Sequence, residues 1–108
     1  MLLRYENGAT RTTEELAKLI REEGKLIIGI YSITEENTRL RCAFGVIEEW
    51  ENGTFPVRLI ANSWAKLWKE INIRYNVANG IISVNDNFVG TPEERMEYIA
   101  SILEALPE

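Results

Sequence analysis

The sequence predicts a single α+β domain over residues 1–108, with a mainly antiparallel sheet of about five strands and three helices in the order β-α-β-β-β-α-β-α. Three observations carry that prediction. Residues 12–24 and 91–106 each open on Thr with Glu three residues later, and each goes on with apolar residues at helical spacing. Residues 62–75 repeat large apolar side chains with a period near 3.6. The remaining apolar runs are short, and several are bounded by Asn-Gly pairs, the strongest short turn signal.

Taken in order, "MLLRY" reads as a short strand and "ENGA" as its turn. In "TTEELAKLIREEG", Thr12 and Glu15 form a capping box, Leu16, Leu19 and Ile20 form the apolar stripe, and Gly24 is the stop. "KLIIGIYSI" is apolar on both alternating faces, as expected of a covered central strand, and "TEEN" is a turn. "RLRCAFGVIEEW" then alternates: Leu40, Cys42, Phe44 and Val46 share one face, and Arg39, Arg41, Ala43 and Gly45 share the other. A second Asn-Gly turn leads into "FPVRLIA", where Pro56 lacks a ladder donor and marks a short or edge strand. The helix "NSWAKLWKEINIRY" places Trp64, Leu67, Trp68, Ile71 and Tyr75 on one face, with Asn62 or Ser63 as its cap. "IISVN" is the last strand. Thr91 caps the last helix, Pro92 opens it and Glu94 closes its capping box.

The net charge is −5, a poor default for a nucleic-acid binder, because phosphate contacts need Lys and Arg. The charge is uneven: residues 39–80 carry six basic and four acidic groups, whereas residues 81–108 carry one basic and six acidic. A single cysteine, Cys42, rules out an internal disulfide and fits a reducing, cytoplasmic setting. The longest apolar run, "LIIGIY", is far too short to span a membrane. There is no histidine, so the commonest general base and metal ligand and every His-activated nucleophile are absent. No phosphate-binding loop, dinucleotide fingerprint or cysteine-rich zinc pattern occurs. No cofactor or metal is expected, and the balance favours a binding protein over an enzyme.

Two places carry candidate chemistry. Arg39 and Arg41 lie on the same strand face as Ala43 and Gly45, and Gly29 and Tyr31 share a face of the neighbouring strand. If these faces coincide, two guanidinium groups and a phenol border a floor of small residues that suits a flat, phosphate-bearing ligand. The alternative is that helices cover the glycines and the arginines sit at a solvated edge. The second place is the corner Asn85-Asp86-Asn87, which serves either as a turn before the capped helix or as a polar ligand site. Trp64 and Trp68, at i and i+4, read as core, with base stacking or a partner groove as the alternative. Cys42 reads as a buried small hydrophobe and Trp50 as an exposed aromatic.

"RCAFGVI" followed later by "ISVNDNFVGTPEERMEYIASILEAL" resembles a pattern in small proteins of bacteria and their phages. That pattern is a Cys-Ala-x-Gly strand, an Asn-Asp corner and a Thr-x-Glu-Glu helix, matched here at Cys42, Ala43, Gly45, Asn85, Asp86, Thr91, Glu93 and Glu94. The resemblance implies a phage or mobile-element setting in a bacterial host and transfers no activity or functional residue. The expectation is therefore a small, homo-oligomeric, non-enzymatic binding protein engaged in counter-defence. It would sequester a nucleotide-type small molecule through Tyr31, Arg39, Arg41, Asn85 and Asp86. The alternatives are an acidic inhibitor that blocks a host protein through Glu93, Glu97 and Glu104, and a minimal metal-dependent phosphoesterase built on Asp86.

Overall fold

The computed structural model describes residues 1–23, 32–35, 38–41, 43–48, 57–75 and 89–107. Among them the elements run β1 (Leu2–Arg4), β2 (Thr10–Thr12), α1 (Thr13–Glu23), β3 (Ser32–Glu35), β4 (Thr38–Arg41), α2 (Ala43–Glu48), α3 (Ala61–Tyr75) and α4 (Pro92–Ala105). This corrects the expected five-stranded sheet with three helices. The described residues form four helices and two separate two-stranded antiparallel ribbons, β1–β2 and β3–β4, and helix outweighs strand. The expected strand at 81–85 and most of the one at 25–33 lie outside the described residues.

The first ribbon turns through Asn7-Gly8. Gly8 has φ +88°, a left-handed conformation that a residue without Cβ adopts at no steric cost. The Asn7 side chain accepts from the Ala9 amide at 3.0 Å, which holds the turn. The chain then pairs back as β2, with Leu3 opposite Arg11, a strand absent from the prediction. Of the expected strand at 55–61, the described residues 57–61 hold a single bridge, Tyr5 to Leu59, flanked by Glu6 N–H to Arg58 O at 2.8 Å and Ile60 N–H to Arg4 O at 2.9 Å.

Both predicted capping boxes form. Thr12 Oγ1 accepts from Glu15 N and Glu15 returns to Thr12 N, each at 3.1 Å. Thr91 and Glu94 repeat the arrangement at the start of α4, with Pro92 in the first turn, where its missing N–H is no loss. Behind these starts, Leu16, Ala17 and Ile20 of α1 and Met96, Ile99, Ala100, Ile102 and Leu103 of α4 are buried in one core. Each large side chain among them contributes roughly 1.5–3 kcal/mol on leaving water. Leu3 and Tyr5 of the first ribbon join that core.

The largest departure is at residues 43–48. They form α2 where the alternating pattern predicted a strand. Ala43, Val46 and Ile47 are all buried, and they stand at i, i+3 and i+4, the spacing of one helical face. The same letters satisfied a period of two, and Gly45 weakened the strand option by offering nothing to pack. Tertiary contacts decide the outcome: α2 lies against α1, and the buried Tyr5 hydroxyl donates to the Ile47 carbonyl, one of the acceptors a helix end leaves without an internal partner.

α3 begins at Ala61, so neither Asn62 nor Ser63 is its N-cap. Ser63 is buried and its Oγ accepts instead from the Arg4 amide at 2.9 Å, tying α3 to β1. Leu67 and Ile71 are buried, while Trp64 and Trp68 are half-buried with tilted rings 5.7 Å apart, and Trp64 packs against the core. No helix among the described residues is long and apolar enough to cross a membrane.

Candidate functional site

The β3–β4 ribbon contains the two arginines singled out by the sequence. Its register sets Arg39 opposite Thr34 and Arg41 opposite Ser32. Directly opposed residues of an antiparallel pair share a face, and so do residues two apart on one strand. Ser32, Thr34, Arg39 and Arg41 therefore occupy one face of the ribbon, and Ile33 and Leu40 the other. The residue types at those four positions are two hydroxyls and two guanidiniums, and a guanidinium is a fixed fork that fits phosphate or carboxylate in bidentate fashion.

The expected row of small residues does not continue from this face. β4 ends at Arg41, and Ala43 and Gly45 are buried within α2, so they form no exposed floor beside the arginines. The strand half of the Cys-Ala-x-Gly pattern is likewise replaced by helix from Ala43 onward. Tyr31, Asn85 and Asp86 lie outside the described residues, as do Gly29, Cys42, Trp50 and Asn87. Of the expected ligand residues, the structure brings Arg39 and Arg41 together and adds Ser32 and Thr34. Those two were readable in principle: counting outward from a turn at Glu36-Asn37 pairs 34 with 39 and 32 with 41.

The acidic surface has a different character. Arg21 of α1 binds two of the three glutamates assigned to a blocking face. Its Nε and Nη2 donate to the Glu97 carboxylate, both at 2.9 Å, and its Nη1 and Nη2 donate to Glu104 at 2.7 and 2.6 Å. Hydrogen bonds from Arg21 hold both carboxyls below their ordinary range, and Glu104, then Glu97, push the guanidinium higher still. This cluster clamps α1 to α4. Glu93, Glu94, Glu97, Tyr98 and Ser101 line an open depression of about 500 Å³ on the outer side of α4. A second groove, of about 310 Å³, lies between β1 and the start of α3 and carries the exposed cations Arg4 and Lys66. Among the described residues no group of three or more His, Cys, Asp or Glu side chains is placed to hold a metal ion.

No family model, curated protein or solved structure matches the chain.

Proposed function

We propose that this is a small non-enzymatic binding protein that holds a phosphate-bearing, nucleotide-type small molecule against the β3–β4 ribbon. The observation that carries the reading is the register, which sets Arg39 and Arg41 on one face with Ser32 and Thr34. Paired guanidinium groups supply charge and bidentate geometry, and the hydroxyl residues add neutral donors for remaining phosphate or sugar oxygens. The absence of histidine from the chain favours holding a ligand over acid–base turnover. The acidic blocking alternative is weakened by the Arg21 clamp, which engages Glu97 and Glu104 and leaves Glu93 alone of the three proposed contact residues.

Calorimetric titration against mononucleotides, dinucleotides and cyclic nucleotides tests this proposal. Wild type should bind at least one of them. Arg41→Ala should weaken that binding by about tenfold or more, the loss of one charge-assisted contact worth roughly 1.5–3 kcal/mol. Arg41→Lys, which keeps charge but not the fork, should fall between the two. Failure of wild type to bind any of these, or equal binding after Arg41→Ala, would remove the nucleotide reading from this face.

A further inference from the structure

We infer that the chain self-associates head to tail, with the acidic outer face of α4 in one copy seated in the cationic β1–α3 groove of another. The inference is independent of the ligand proposed above and uses none of the same residues.

The groove has an apolar edge, formed by Ile60 and by Leu2, which is 45% exposed. Arg4 and Lys66 flank it, both exposed and, among the described residues, neither in an ion pair. Among the described residues no carboxylate lines it. The α4 depression is its complement. Tyr98, 40% exposed, is its apolar centre, and Glu93, Glu94 and Glu97 surround it. Arg21 offsets part of this charge through Glu97 and Glu104, but among the described residues no cation lines the depression itself.

Thus one chain displays two open surfaces of opposite sign, each with an exposed large apolar group, in equal number on every copy. That is the arrangement charge complementarity requires of a self-recognising pair. Because the two surfaces belong to different elements, β1 with α3 and then α4, a head-to-tail contact leaves one groove and one α4 face free at its ends, and it propagates or closes into a ring. Its charges are exposed, so the association is weak and salt-sensitive: the screening length falls from about 30 Å at 0.01 M to about 3 Å at 1 M salt.

Sedimentation velocity on the full chain, at protein concentrations spanning micromolar to millimolar, provides the test. At low salt, wild type should form species larger than a monomer, and the association constant should drop about tenfold or more at 1 M salt. The double variant Arg4→Glu/Lys66→Glu should lose association at low salt by a similar factor. Glu93→Lys/Glu94→Gln should do the same, with Gln chosen at position 94 because it can still close the capping box. Mixing the two variants should restore association, since the groove variant keeps its acidic α4 face and the α4 variant keeps its cationic groove. Circular dichroism checks that each variant keeps its helices, and Lys66→Glu alone serves if the Arg4 change unfolds the chain. A wild type monomeric throughout, association indifferent to salt or charge reversal, or a mixture that stays apart would each overturn the inference.

Discussion

Residues 12–23 and 91–106 differ from residues 39–48 in how many physical signals agree. In the first pair, cap chemistry, helical period and burial all point one way. Thr12 with Glu15 and Thr91 with Glu94 close capping boxes, and the buried stripes follow at the expected spacing. Over residues 39–48 the only sequence signal was the hydrophobic period, and it fits two answers. Arg39 to Arg41 extend, then Ala43 to Glu48 are helical, although the alternating pattern runs from Arg39 through Val46. Several agreeing local signals specify an element, whereas an ambiguous period leaves the choice to whatever packs against it.

If that contrast is right, the two regions should respond differently to substitution. The largest effect belongs to the region of agreement. Ile99 is fully buried between α4 and the rest of the core, so Ile99→Ala should destabilise by about 2–5 kcal/mol in urea unfolding. A loss well under this range would mean that α4 is not seated on the core as described.

A smaller effect probes the region of ambiguity. Tyr5→Phe removes the donor to the Ile47 carbonyl while keeping the ring in the core, and should cost about 1–3 kcal/mol. Hydrogen exchange should show the excess opening concentrated in residues 43–48, while α1 keeps its protection. Uniform loosening of both would show that α2 does not depend on this contact.

The smallest effect concerns the clamp between α1 and α4. Glu97 and Glu104 are held below their ordinary pKa by Arg21, so their folded forms bind protons less readily than the unfolded chain does. The clamp's contribution is therefore present above the ordinary carboxylate pKa of about 4.3 and is lost as pH falls through the lowered values. Arg21→Ala should lower the thermal midpoint slightly at pH 7, and the gap to wild type should close in acid and at high salt. A gap that persists at pH 2 would assign the loss to packing of the Arg21 stem.

The same contrast explains what was legible. α1 and α4 were readable almost to the residue because their caps are side-chain chemistry written in the sequence. α3 was readable from Leu67 and Ile71, but its start was not. Ser63 looks like a cap and instead accepts from the Arg4 amide 59 residues away, a long-range bond no local pattern reports. β2 was missed because Thr10 to Thr12 carries no apolar alternation, and its pairing follows from the Asn7-Gly8 turn. At the candidate site, Arg39 and Arg41 were legible from their alternation. Their continuation into Ala43 and Gly45 was not, because the end of β4 is set by the burial of Val46 and Ile47. The Arg21 clamp joins residues 76 and 83 positions apart and leaves no local trace.

The chain is strand up to Arg41 and helix from Ala43, which confines the proposed ligand face to Ser32, Thr34, Arg39 and Arg41. Backbone carbon chemical shifts across residues 38–48 test it most directly. Strand-type values are expected for Arg39 to Arg41 and helix-type values for Ala43 to Glu48. Strand-type values continuing through Val46 would contradict it and restore a longer arginine face over Ala43 and Gly45.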